Sequence, residues 1–89
     1  MARVAEAFDP SSGRTMEVST TEPAFVLYTA NYLDGTLRGK GGAIYPQHAA
    51  LCIETGRPPD AIRYANYPSI ILRPGETYRH RCVYRFSVK

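Results

Sequence analysis

The sequence lacks several features that would place it in a specialised class. Its 89 residues include no tryptophan, two histidines and two cysteines. No apolar run approaches the roughly 20 residues of a membrane-spanning helix, so we expect no membrane association. Cys52 and Cys82 lack C-x-x-C spacing, so we expect no metal site. Because residues 1–10 (MARVAEAFDP) contain no apolar signal core, we expect a cytoplasmic protein with both thiols reduced and in the core.

The composition is that of a small globular β protein. Hydrophobic residues make up 44% and charged residues 21% of the chain, which argues against wholesale disorder. Seven tyrosines and three phenylalanines favour strands, while seven glycines and seven prolines favour turns over long helices. The length allows one domain, residues 1–89, with a modest core.

Period-2 alternation of apolar and polar residues predicts about six short strands and an all-β, antiparallel sandwich-type fold. The clearest case is residues 78–89 (YRHRCVYRFSVK), whose apolar face is expected to pack. Residues 3–8 and 14–20 flank the turn sequence DPSSG and predict a hairpin. The more continuous apolar run at 24–32 predicts a buried strand. Residues 49–55 and 69–72 predict two short strands, and the glycine-rich stretch 31–42 and residues 57–67 predict loops.

The positive charge is concentrated in the second part of the chain. Residues 57–89 contain seven basic and two acidic residues, whereas residues 1–56 contain four basic and six acidic ones. Arginines alternating through the last strand could attract RNA or an acidic partner. The same pattern is typical of the solvated face of a strand, and we favour that interpretation, so we do not expect nucleic-acid binding.

Glu54 is the candidate for chemistry. It follows the apolar triplet Leu51–Ile53 and shares a strand face with Cys52. A carboxylate covered on both faces of such a strand has a raised pKa and can serve as a general base, whereas a strand-end carboxylate in water is the ordinary alternative. His48 and His80 are too far apart in sequence to predict a metal site, and His80, on the apolar face of its strand, is expected to be a hydrogen-bonded core or semi-buried residue.

Four stretches in order resemble the C-terminal segment of the aldose 1-epimerase (galactose mutarotase) family. They are SGRTMEVSTTEP (12–23), YTANYLDGTLRGKGGAIYPQH (28–48), LCIETGRPPDA (51–61) and YPSIILRPGETYRH (67–80). The resemblance implies a galactose-mutarotase type β-sandwich that interconverts sugar anomers without a metal or cofactor. It also implies that Glu54 aligns with the general base that removes the proton from the anomeric hydroxyl.

The departures from the family pattern indicate altered chemistry. The chain corresponds to about the last quarter of family members, and the family's histidine acid lies upstream of that quarter. Val26 stands where the family has a glutamine that reaches the sugar. The family's E-T-Q reads Glu54-Thr55-Gly56 here, and its D-A-x-N motif ends at Arg63. The substrate-binding residues are therefore unknown.

These observations leave two functional hypotheses. The first is a truncated, non-catalytic mutarotase-like module that self-associates or binds a protein partner through exposed strand edges. The second is an active aldose 1-epimerase that assembles with the missing N-terminal region and acts on an aldohexose such as galactose or glucose. Aldohexose binding by residues 1–89 alone is expected to be weak at best.

Overall fold

The computed structural model describes all residues, Met1–Lys89, and contains five strands in two antiparallel sheets. The strands are β1 (Ala2–Phe8), β2 (Arg14–Thr20), β3 (Ala24–Tyr28), β4 (Cys52–Gly56) and β5 (Cys82–Val88). Two 3₁₀ helices, Lys40–Gly42 and Ala61–Arg63, lie in the connections. Neither helix has the length and apolar character required to cross a membrane. The predicted all-β class is confirmed.

The three-stranded sheet has the order β1-β2-β5, so β2 is its central strand. The predicted hairpin of β1 and β2 is present, and its turn is held by the Asp9 carboxylate. That carboxylate accepts hydrogen bonds from the Ser11 amide (3.2 Å) and from the hydroxyls of Ser11 (2.9 Å) and Ser12 (2.6 Å). Gly13 closes the turn with φ of 75°, a conformation that favours glycine. Strand β5 pairs with β2 from Arg14↔Val88 to Thr20↔Cys82.

The two-stranded sheet pairs β3 with β4 in a register that places Val26 opposite Glu54. Within the apolar run at 24–32, the strand ends at Tyr28, because Tyr28 pairs with Cys52, which is the first residue of β4. Ala30 then turns the chain with φ of 57°. The prediction that β3 is buried is wrong, because Phe25, Val26 and Leu27 are all exposed.

Two further strand predictions need correction. Residues 69–72 form no strand because no other segment pairs with them, and the Ile71 amide instead donates to the Ser69 hydroxyl at 3.1 Å. The last strand begins at Cys82 rather than Tyr78, because its regular pairing with β2 ends at Thr20↔Cys82 and the next amide, that of Arg81, donates to the Thr21 side-chain hydroxyl at 3.0 Å. Cys82, at the start of the strand's apolar face, is half-buried, whereas the end of that face does not pack, since Phe86 and Val88 are each 73% exposed.

The core is small. Only four hydrophobic residues are buried, namely Val18, Ala30, Ile53 and Ala61. The radius of gyration is 16.8 Å, against about 12 Å for a compact domain of this length. The apolar side chains that the alternating pattern assigns to an interior therefore lie on open sheet faces, and this openness determines the surroundings of the candidate site.

Candidate functional site

Glu54 lies at the centre of β4. Because side chains alternate along a strand, Glu54 shares one face with Cys52, and Ile53 lies on the other face. Ile53 is 8% exposed and packs inward, whereas Cys52 and Glu54 are exposed. The predicted core position of Cys52 is therefore wrong, because no layer covers this face. The covering that would desolvate Glu54 is absent for the same reason.

The Glu54 carboxylate has no partner within the chain. No side-chain hydrogen bond or salt bridge reaches it, and Val26, directly across the sheet, offers only an apolar side chain. Tyr84 lies on the other side of β4, where its hydroxyl donates to the Ile53 carbonyl at 2.9 Å. The pKa of Tyr84 is raised, first by the neighbouring Cys82 side chain and then by desolvation, with smaller effects of Cys52 and Glu54.

Neither histidine contacts Glu54. The Nδ1 of His48 lies 2.7 Å from the Thr29 carbonyl oxygen in an exposed loop. The Nδ1 of His80 lies 3.0 Å from Oε1 of Glu22, and its Nε2 lies 3.4 Å from the Thr55 hydroxyl. The predicted hydrogen bonding of His80 is present, but the residue as a whole is exposed although its side chain is 31% exposed, so the predicted core or semi-buried position is wrong.

Glu22 is a buried carboxylate that sequence reasoning missed. It follows β2 at the junction with β3, and its side chain is only 3% exposed. Oε1 accepts hydrogen bonds from the Tyr78 hydroxyl and from His80. Oε2 lies 3.5 Å from Nε of Arg57, an ion contact without hydrogen-bond geometry, so this buried oxygen has no donor. We call Glu22, Arg57, Tyr78 and His80 the Glu22 cluster.

The Glu22 cluster stabilises the ionised carboxylate. The hydrogen bond from Tyr78, then that from His80, and then the charge of Arg57 hold the pKa of Glu22 below its ordinary value of 4.5 against the opposing effect of desolvation. The same hydrogen bond raises the pKa of Tyr78 above 10.0. The sequence offers a signal for Tyr78 and His80, because they are two residues apart and extend the apolar face of the last strand. Their polar groups predict a buried partner, but nothing in the sequence indicates Glu22.

The remaining sequence candidates contribute little to this site. Asp60 adopts a left-handed backbone (φ of 60°) and pairs with Arg63 at 3.4 Å on the surface. Arg85 of β5 lies 3.9 Å from Glu17 on the paired strand β2. Lys89, which follows β5, lies 3.0 Å from Glu6 of β1. Ion pairs between exposed side chains are what the solvated-face interpretation expects. No group of three or more His, Cys, Asp or Glu side chains is arranged to hold a metal ion.

Comparison with known proteins matches residues 1–85 to the model of the aldose 1-epimerase family. The chain belongs to the aldose 1-epimerase family. It is 51% identical to a galactose mutarotase of Mus musculus over 87 residues, which is 98% of this chain and 25% of that protein. It is also 51% identical to a galactose mutarotase of Homo sapiens over 78 residues, or 88% of this chain and 23% of that protein.

A more distant relative is the bifunctional protein GAL10 of Kluyveromyces lactis, 40% identical over 72 residues, which is 80% of this chain and 10% of that protein. The family resemblance seen in the sequence is thus confirmed. The chain spans about a quarter of the length of the two galactose mutarotases.

Proposed function

We propose that residues 1–89 form a mutarotase-like β module that does not catalyse mutarotation alone and acts by docking its open sheet faces on a protein partner. The observation that carries this proposal is the state of Glu54. Its carboxylate is exposed on a two-stranded sheet, and no donor or histidine contacts it. A base in open water has neither the pocket nor the acid that sugar ring opening needs.

The chemistry explains why one carboxylate is insufficient. Opening a cyclic hemiacetal requires a base at the anomeric hydroxyl and an acid at the ring oxygen of the same sugar. Glu54 is the candidate base, but His48 and His80 hydrogen-bond to other groups. General acid or base catalysis contributes about 10²–10⁴-fold for each group, so losing the acid and the pocket leaves a rate near that of buffer.

Sugar affinity is weak in the same interpretation. Val26 faces Glu54 across the sheet, where an apolar side chain cannot hydrogen-bond a hydroxyl. A sugar hydroxyl left unpaired on binding costs about 1–3 kcal/mol. An aldohexose such as glucose or galactose therefore remains a ligand of low affinity for these residues alone.

The open faces support docking on a protein. Leu27 on β3 is 57% exposed, and Phe86 and Val88 on β5 are each 73% exposed. The outer edges of β1 and β5 also carry backbone groups without a neighbouring strand. Exposed edges next to apolar faces favour β-pairing with a second copy or with another β protein. The two free thiols, Cys52 and Cys82, suit a reducing compartment such as the cytoplasm.

A second candidate function is favoured by the fact that Glu54 is present and lies on a strand. The residue sits on a paired strand in a chain 51% identical to galactose mutarotases. In this version Glu54 is the general base of an active aldose 1-epimerase assembled with segments that supply the acid and the rest of the pocket. Docking of residues 1–89 on those segments then completes the active site.

Polarimetry separates the two candidates. The purified 89-residue protein and Glu54→Gln are each added to freshly dissolved α-D-glucose and α-D-galactose, and the approach of the rotation to equilibrium is followed. We expect both proteins to match buffer. Acceleration by the parent protein that disappears in Glu54→Gln would overturn the first candidate and support the second.

Sedimentation velocity tests the docking itself. We expect the sedimentation coefficient of the protein to rise with concentration, or a second β protein to shift it at low concentration. A well-folded monomer at every concentration, which no β-protein partner shifts, contradicts the proposal.

A further inference from the structure

Two hydrogen bonds, one from β5 and one from the segment that precedes it, reach the residues on either side of Glu54 in β4. On one side, the Tyr84 hydroxyl of β5 donates to the Ile53 carbonyl at 2.9 Å. On the other side, Nε2 of His80 lies 3.4 Å from the Thr55 hydroxyl. Ile53 and Thr55 are the immediate chain neighbours of Glu54. The Tyr84 contact is made to the peptide carbonyl before Glu54, and the His80 contact is made to the side chain of the residue after it.

β4 has a strand neighbour on one side only. The strand belongs to a two-stranded sheet, so β3 pairs with one edge only and the other edge is open. An unpaired edge can bend or slip, and a side chain on it is then poorly placed. The Tyr84 hydroxyl supplies a hydrogen bond that a third strand would otherwise provide.

His80 is itself fixed in place. Its Nδ1 lies 3.0 Å from the Glu22 carboxylate, which is only 3% exposed and also accepts from the Tyr78 hydroxyl. Because a carboxylate only accepts, Nδ1 of His80 is the donor in this contact, and the contact fixes the orientation in which Nε2 meets the Thr55 hydroxyl. A buried charge thus orients a ring that holds the residue after Glu54.

We propose that Tyr84 and the Glu22–His80 pair are positioning residues that hold Glu54 for proton abstraction. The inference rests on the second candidate above, in which Glu54 is the general base of an assembled enzyme. A displacement of about 1 Å in a reacting group costs about 10²-fold in rate, so an open-edged strand carrying a base requires such anchors.

The test uses the complete 89-residue chain fused in place of the corresponding quarter of the Mus musculus galactose mutarotase, of which it covers 25%. Polarimetry gives kcat and KM for the parent fusion and for Tyr84→Phe, which removes a single hydroxyl. We expect kcat to fall about 10-fold or more, because one of two anchors is lost, while KM stays within about 2-fold. Tyr32→Phe is the matched control, since Tyr32 is 88% exposed and its hydroxyl has no hydrogen bond.

Thr55 provides a conservative pair for the other anchor. Thr55→Ser keeps the hydroxyl that meets His80 and is expected to keep kcat, whereas Thr55→Val keeps the shape and loses the hydroxyl. A general loss of packing would affect both variants or neither. If Thr55→Ser and Thr55→Val have equal kcat, and Tyr84→Phe equals Tyr32→Phe, the positioning role is refuted.

Hydrogen exchange on the unfused chain keeps the inference separate from the proposed function. We expect Tyr84→Phe to speed amide exchange in residues 53–55 relative to Tyr32→Phe, because the open edge loses its anchor. An inactive parent fusion refutes the second candidate, the active assembled enzyme on which the inference rests. Unchanged exchange in Tyr84→Phe refutes the anchor itself, whatever the activity of the fusion.

Discussion

Replacing Glu22 by glutamine tests whether a buried charge holds the two sheets together. The side chain is 3% exposed and accepts hydrogen bonds from Tyr78 and His80. Glutamine keeps the shape but removes the charge, and it places an amide nitrogen beside Arg57, which has no acceptor to offer it. A hydrogen bond to a charged group is worth about 1 kcal/mol more than a neutral one, so two of them set the loss of unfolding free energy at about 2 kcal/mol.

The thermal midpoint translates this loss into a measurable shift. At about 4–8 °C per kcal/mol for a domain of 60–100 residues, Glu22→Gln is expected to melt roughly 8–16 °C below the parent in circular dichroism. Glu6→Gln is the matched control, since Glu6 forms a surface ion pair with Lys89 at 3.0 Å. Such pairs contribute about 0–1 kcal/mol. A midpoint for Glu22→Gln no lower than that of Glu6→Gln would refute the reasoning.

The pH dependence gives a second readout of Glu22. Its pKa in the folded protein lies below the ordinary value of 4.5. As the pH falls, Glu22 is therefore protonated in the unfolded chain before it is protonated in the folded protein. The stabilisation that ionised Glu22 gives is fully present above about pH 4.5 and is lost as the pH drops through the pKa of Glu22 in the folded protein. We expect the parent to lose stability over this acidic window and Glu22→Gln to lose less. The measurement runs from about pH 6 to about pH 3, the range in which carboxylates titrate. Parallel stability curves for the two proteins over this range would contradict the stabilising role of the ionised Glu22.

Two further substitutions test the turn and the open face. Gly13→Ala should destabilise the protein by about 1–3 kcal/mol in urea unfolding, because a non-glycine residue is strained at positive φ and the new Cβ would lie 2.6 Å from the Lys89 carbonyl oxygen. Gly41→Ala is the control, because Gly41 has φ of 65° and a new Cβ there would have no atom within 4 Å, so this variant reports the backbone strain alone. If both variants lose the same unfolding free energy, the Lys89 contact contributes nothing. Phe86→Lys should change the unfolding free energy by no more than about 0.5 kcal/mol yet weaken association in sedimentation velocity, because Phe86 is 73% exposed. Ser87→Lys, on the opposite face, is its control, and equal association of the two variants would argue against docking through this face.

Local pattern predicted the elements that depend on neighbours in sequence. The hairpin of β1 and β2 follows from the DPSSG turn, whose Asp9 and Gly13 act as their residue types suggest. The strands around Glu54 and Phe86 follow from alternation. Residues 69–72 failed as a strand because a strand needs a partner, and pairing is a long-range property that an apolar run cannot specify.

The amino-acid sequence alone determined the all-β class, the hairpin, the family and the place of Glu54 on a strand, because turn chemistry, alternation and motif order are local properties. Only the tertiary structure decided that Glu54 is exposed, that the apolar faces are uncovered and that Glu22 meets Tyr78 and His80. Glu22 and His80 lie far apart in the chain, and their contact depends on how the two sheets are joined. Burial of a side chain depends on what the rest of the fold places over it, and alternation identifies a face without specifying its cover.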